Sequence, residues 1–174
     1  MEEQVILVDG NDLQIGQMEK MEAHQKGLLH RAFSVFIFNS KNELLLQQRA
    51  FDKYHSGGLW TNTCCSHPRI GESNLDGANR RLMEEMGMQA DLKWVFDFTY
   101  CAEFESGLVE HELDHVFFGQ SDLLPVINRN EVETFKYVNL EALKDELQVN
   151  PDDYTPWLKI CLEKVMEHFT SEAK

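Results

Sequence analysis

An α+β sandwich built on a mixed sheet is the fold class that this sequence predicts. Runs rich in aromatic and β-branched residues, such as Phe33 to Phe38, outnumber segments of helical period. One helical segment falls among the strands, and the order of elements is not a regular βα alternation. The length of 174 residues suits one domain, since a chain of that size buries roughly 70% of its extended surface.

Val5 to Val8 reads as a short strand, closed by the turn-prone Asp9-Gly10-Asn11-Asp12. Phe33 to Phe38 and Leu44 to Gln48 read as two strands of a hairpin, joined by a turn over Asn39 to Asn42. Ala50 to Gly71 reads as loop, punctuated by Gly57, Gly58, Pro68 and Gly71. Ser73 can cap a helix from Asn74 to Met86, with Asp76 three residues on, and Gly87 ends it. Leu92 to Phe104 and Leu108 to Gly119 read as strands around the turn Glu105-Ser106-Gly107. Glu131 to Val138 is a further strand. Leu140 to Leu147 and Pro156 to Phe169 are helices, the last with proline in its first turn.

The formal charge is −14, from 16 basic and 30 acidic residues. Such a surface repels a phosphate backbone, so no nucleic-acid partner is expected. It repels small anions too, so a phosphate site would need local cations or metal ions. No apolar run is long enough for a spanning helix, and no membrane partner is expected. The acidic start (Met1, Glu2, Glu3, Gln4) lacks the pattern of a signal peptide, which leads to a cytoplasmic expectation. The cysteines Cys64, Cys65, Cys101 and Cys161 form no CxxC pair, which excludes a four-thiolate zinc site. Cys64 and Cys65 are neighbours, where a disulfide would be strained.

Two strings hold the side chains that stand out. Trp60 to Pro68 reads W-T-N-T-C-C-S-H-P, and Val109 to Glu112 reads V-E-H-E. Residues two apart on a strand share a face, so Glu110 and Glu112 sit side by side while His111 points away. Adjacent carboxylates repel unless a cation lies between them. Their apolar flanks (Leu108, Val109, Val116, Phe117, Phe118) suggest a central strand, which favours a metal over a solvated edge. With His24, His30 and His67 they make a mixed nitrogen and oxygen shell suited to Mn, Mg or Zn. His55, His115 and His168 have no such company and are expected to be structural or exposed. Glu84 and Glu85 end the helix after Ser73, where the backbone dipole disfavours carboxylates by about 0.3–1 kcal/mol each. Pairs at i, i+4 (Arg80–Glu84 and Arg81–Glu85) are one reason for them to be there, and chemistry is another.

The stretch from Glu72 to Met88 resembles the Nudix box, G-x5-E-x7-R-E-U-x-E-E-x-G-U with U a bulky aliphatic residue. Glu72, Arg80, Leu82, Glu84, Glu85, Gly87 and Met88 match it. Ser66 stands where the box has its first glycine, and Arg81 where it has the glutamate after arginine. Adding W-T-N-T-C-C-S-H-P, V-E-H-E and the late T-P-W, the chain resembles type I isopentenyl diphosphate isomerase from about Met18 to Trp157.

That resemblance implies a Nudix-like α/β/α sandwich, with residues 1–174 as a single catalytic domain. It implies interconversion of isopentenyl and dimethylallyl diphosphate by protonation and deprotonation; the alternative is a Nudix-type diphosphate hydrolase. Cys65 and Glu112 match the two proton-handling residues, Tyr100 the tyrosine beside that glutamate, and Trp157 the aromatic group over the cationic carbon. Trp60 either walls the pocket or belongs to the core. His24, His30, His67, Glu110 and Glu112 match the ligands of one divalent ion (Mn²⁺, Zn²⁺ or Mg²⁺). Glu85, with the Cys65 carbonyl, matches the holder of a diphosphate-bridging Mg²⁺. Lys20, Arg49, Lys53 and Arg81 match the basic residues on the diphosphate. The implied partner is a small isoprenoid diphosphate, handled by a monomer.

Overall fold

The computed structural model describes residues 3–172. Among the described residues, nine strands form one mixed sheet: β1 (Gln4–Val8), β2 (Gln14–Glu19), β3 (His30–Phe38), β4 (Glu43–Arg49), β5 (Trp60–Thr61), β6 (Cys64–Ser66), β7 (Lys93–Glu103), β8 (Val109–Gln120) and β9 (Val132–Asn139). The helices are α1 (Lys20–Lys26), α2 (Asn74–Met86), α3 (Leu140–Val149) and α4 (Pro156–Glu172). β3 runs parallel to β8, and the other pairings are antiparallel.

Alternation along β3 sends its side chains into two cores on opposite faces of the sheet. Phe33, Val35 and Ile37 meet Ala78, Leu82 and Met86 of α2. Phe36 and Phe38 meet Leu140 and Leu143 of α3 and Leu158, Leu162 and Val165 of α4. The sheet is thus covered on both faces, as a layered α+β fold requires. The ends of α2 follow its sequence. The Ser73 hydroxyl accepts from Asp76 N–H at 3.1 Å, and Gly87 closes the helix at φ 61°.

The expected hairpin of β3 and β4 is present at its turn and is short. The two strands pair only at Phe38↔Leu44 and then separate. Thr63 lies in the gap: its Oγ1 accepts from Ile37 N–H at 2.9 Å and donates to the Leu45 carbonyl at 2.6 Å. Asn62 donates to the carbonyls of Val35 and Cys64, and Gln47 to that of Thr63. The polar T-N-T segment therefore replaces the missing ladder, and β4 takes β9 as its main partner. The segment expected to be loop from Ala50 to Gly71 contains β5 and β6 for the same reason. The second strand and first helix, over residues 14–26, have no strong signal of apolar period. α1 is held at its ends instead, by the Glu19 carboxylate on Met21 and Glu22 N–H and by Gly27 at φ 62°.

Candidate active site

Strand register sets a row of functional side chains. His30 on β3 and Tyr100 on β7 both lie abreast of Glu112 on β8, and Cys65 on β6 pairs with Ser34 on β3. The T-N-T wedge thus brings Cys65 beside the carboxylate strand. A cavity of about 60 Å³ lies there, bordered by Cys65, Glu112, Tyr100 and Trp157. Lys20, Arg49, Lys53, Arg81, His67, Glu85 and Glu110 border it too. Of the residues singled out above, His24 and His30 do not line it; both are fully buried alongside.

His24, His30, His67 and Glu112 offer donor atoms that all lie within 4.8 Å of one another. His24 Nε2 lies 3.2 Å from His30 Nε2, and Glu112 Oε1 lies 2.9 Å from His67 Nε2 and 3.4 Å from His30 Nε2. Donors bound at about 2.1 Å around one ion stand roughly 3.0–3.4 Å apart, so this set fits a divalent cation. The buried His24 imidazole resists a proton. Burial, with His67 and His30 as neighbours, pushes His24 down to about 3. Glu110 stands outside this group of four. Its Oε1 lies 2.8 Å from His55 Nε2, and its Oε2 accepts from the Tyr100 hydroxyl at 3.1 Å.

The paired carboxylates are driven apart in acidity. Burial and the neighbouring Glu112 push Glu110 up to about 8. Burial would raise Glu112 as well, but hydrogen bonds from His30 and His67 hold it well below the usual range. The Tyr100 hydroxyl donates to Glu112 Oε2 at 2.6 Å. Burial raises that phenol far above its ordinary value, so it remains a donor. Burial also raises the Cys65 thiol, outweighing Arg49; Glu85, Glu110 and Glu112 add to the rise. The thiol is therefore protonated at neutral pH.

Trp157 is buried and donates through Nε1 to Asn62 Oδ1 at 3.2 Å; the Arg49 guanidinium lies 5.4 Å from the centre of its ring. Trp60 is only partly buried and packs on the core, with Lys136 over its ring at 4.3 Å; it does not border the cavity. Both i, i+4 pairs of α2 are present, Arg81–Glu85 at 2.5 Å and Arg80–Glu84 at 3.3 Å. Glu84 is exposed, whereas Glu85 is buried and also accepts from Gln47 at 2.8 Å. Arg49 Nε and Arg81 Nε are buried without a hydrogen-bond partner. Two such donors beside one cavity suit an anion.

Sequence reasoning missed three members of this site. His55, expected to be structural or exposed, is buried against Phe104 (ring centres 4.6 Å apart) and faces Glu110. Its loop setting gave no signal. Tyr54 stacks on His24 at 5.9 Å and takes the Lys20 ammonium over its ring at 4.9 Å. Asp114 continues the i, i+2 series of Glu110 and Glu112, so the strand period could have revealed it. Ser34 donates to its Oδ2 at 2.7 Å, and its Oδ1 is buried with no hydrogen-bond partner. His115, by contrast, lies between Asp97 (2.8 Å) and Asp12 (3.1 Å).

The NUDIX domain model matches residues 28–158. Isopentenyl-diphosphate Delta-isomerase 2 of Aromatoleum aromaticum is 54% identical over 166 residues, covering 95% of this chain and 88% of the relative. The chain belongs to the NUDIX family, in its isopentenyl-diphosphate Delta-isomerase branch. Isopentenyl-diphosphate Delta-isomerase of Pectobacterium atrosepticum is 49% identical and covers 95% of this chain and 93% of the relative. Among solved structures, DR0079 from Deinococcus radiodurans superposes with a TM-score of 0.78 at 17% identity, covering 93% of this chain and 98% of that one. That likeness concerns the fold. This NUDIX chain carries Arg81 within its box and both Cys65 and Glu112 on the wall of its cavity.

Proposed function

We propose that the protein interconverts isopentenyl and dimethylallyl diphosphate in isoprenoid biosynthesis. The observation that carries this reading is that Cys65 and Glu112 border one cavity that the four cations Lys20, Arg49, Lys53 and Arg81 also line. The alkene of isopentenyl diphosphate is unactivated, so its protonation needs a positioned acid and a dry site. In each turnover one of the two groups gives a proton to the terminal carbon and the other takes one from the carbon next to the diphosphate arm. The double bond moves, and the proton count on the enzyme is unchanged. Between these steps a tertiary carbon is electron-deficient. The Trp157 indole faces it, a contact worth about 2 kcal/mol when desolvated. Tyr100 holds Glu112 in place and supplies a proton-bearing partner to its carboxylate.

Lys20, Arg49, Lys53 and Arg81 take the diphosphate. His24, His30, His67 and Glu112, with Glu110 beside them, hold one divalent ion (Zn²⁺, Mn²⁺ or Mg²⁺). Glu85 and the Cys65 carbonyl would hold a Mg²⁺ for the diphosphate, through few protein oxygens as is common for Mg²⁺. That Mg²⁺ would supply positive charge to the diphosphate in a strongly acidic protein. Residues 1–174 act as a single catalytic domain, monomeric and cytoplasmic, with no nucleic-acid or membrane partner. No helix among the described residues is long and apolar enough to cross a membrane.

Incubation with isopentenyl diphosphate and Mg²⁺ in deuterated water tests the reading. Deuterated dimethylallyl diphosphate without phosphate release is the expected result. Phosphate release without allylic product would instead make the protein a hydrolase.

A further inference from the structure

Two cations that border the cavity share a carboxylate that does not. Lys53 lies on the loop after β4 and Arg81 on α2. The Glu131 side chain ion-pairs with Lys53 Nζ, and its Oε2 lies 3.3 Å from Arg81 Nη2. Glu131 itself is absent from the cavity wall. Its backbone is fixed: Ala50 N–H donates to its carbonyl at 3.0 Å, and its own N–H donates to Asn128 at 2.9 Å. One carboxylate thus grips two cationic arms from outside the cavity, and the arms belong to different elements. Without it the two like charges repel, and the lysine stem is free to extend into solvent. Arg81 is also held by Glu84 at 3.0 Å and Glu85 at 2.5 Å, which leaves its Nε unpaired.

We infer that Glu131 is a positioning residue for diphosphate recognition, which holds Lys53 and Arg81 together at the cavity wall before the anion arrives. The identity of the anion rests on the isomerase reading above. A carboxylate near an anion site also repels the anion, so the sign of its effect is informative. Preorganisation outweighs repulsion when two long side chains would otherwise be ordered at binding. A competing or idle carboxylate gives the opposite sign or none.

The test compares wild type, Glu131→Gln, Lys53→Met and the double variant, each loaded with divalent metal. KM and kcat for isopentenyl diphosphate are measured, together with the Kd for inorganic pyrophosphate plus Mg²⁺ by titration calorimetry. Glu131→Gln is expected to raise KM and Kd in parallel by about five- to twentyfold, the cost of ordering one or two long side chains. Its kcat stays within about twofold, since the reacting carbons are untouched. In the Lys53→Met background the effect shrinks, because one of the two held arms is gone. A Glu131→Gln protein that binds pyrophosphate as tightly as wild type, or more tightly, overturns the inference. Full multiplication of the two single effects overturns it as well. If wild type binds pyrophosphate but isomerises nothing, and Glu131→Gln still weakens binding, the reaction reading fails while the role of Glu131 stands.

Discussion

Thr63→Val removes one oxygen from a side chain that is fully buried. The Thr63 hydroxyl serves two backbone groups, Ile37 N–H at 2.9 Å and the Leu45 carbonyl at 2.6 Å, both on buried residues of strands that have separated. Each buried group left without its partner costs about 1–3 kcal/mol, so the pair costs about 2–6 kcal/mol. The added methyl group offsets about 0.8 kcal/mol. A net loss of about 1–5 kcal/mol compares with the roughly 5–15 kcal/mol of a typical domain. For a chain of this length, at about 2–4 °C per kcal/mol, it corresponds to a fall of about 2–20 °C in Tm. Cys65 lies two residues on, so turnover is expected to fall with stability. Thr63→Ser keeps both hydrogen bonds and loses one methyl group, a cost of about 1 kcal/mol. Thermal and urea unfolding of the three proteins check this. A Thr63→Val protein that melts within 2 °C of wild type, or no lower than Thr63→Ser, refutes the wedge as the device that parts β3 from β4.

Tyr100→Phe keeps the ring and removes the donor to both carboxylates. A hydrogen bond to a charged group is worth about 1.5–3 kcal/mol, so kcat is expected to fall about 10- to 100-fold, with some loss of Tm because the bonds are buried in the resting fold. Steady-state kinetics at saturating substrate decide this, and a kcat within twofold of wild type removes Tyr100 from the chemistry. Glu72 tests the electrostatics outside the site. Its hydrogen bonds from Arg80, at 2.8 Å from both Nε and Nη2, hold its carboxyl below the usual range. A lowered acid gives stability that is present above its unfolded pKa, about 4.3, and is lost as pH falls through the folded value. Glu72→Gln should therefore cost about 1 kcal/mol near pH 7 and flatten the stability profile below pH 5. Equal slopes for the two proteins in acid contradict that assignment. Removing divalent metal should lower the unfolding temperature in proportion to the site's saturation, by about 2.7 kcal/mol of stability at a hundredfold excess over Kd. His24→Ala should abolish this dependence, and its persistence would move the ion elsewhere.

Much of the architecture was legible because strand period and helix caps are local properties. β7 and β8 fall within a residue of expectation, and the signals at Ser73 and Gly87 mark both ends of α2. The partner of β4 was not legible. It depends on a threonine hydroxyl inserted from a segment that reads as loop. At the site, Glu110 and Glu112 were legible from the spacing of two, and Asp114 belongs to the same series. His55 and Tyr54 were not, since only the fold of the glycine-containing loop brings them over the histidines. Glu131 was read as the start of a strand; its grip on Lys53 and Arg81 links residues 78 and 50 positions apart.

The central claim is that Cys65 and Glu112 divide the proton transfers between them. Proton NMR of isopentenyl diphosphate in deuterated water tests it most directly, with wild type, Cys65→Ala and Glu112→Gln compared at equal metal loading and with melting curves alongside. Wild type should give deuterated allylic product, while each folded variant is slower by about 10²–10⁴-fold. Label appearing at a near-normal rate in Cys65→Ala would contradict the assignment of the thiol.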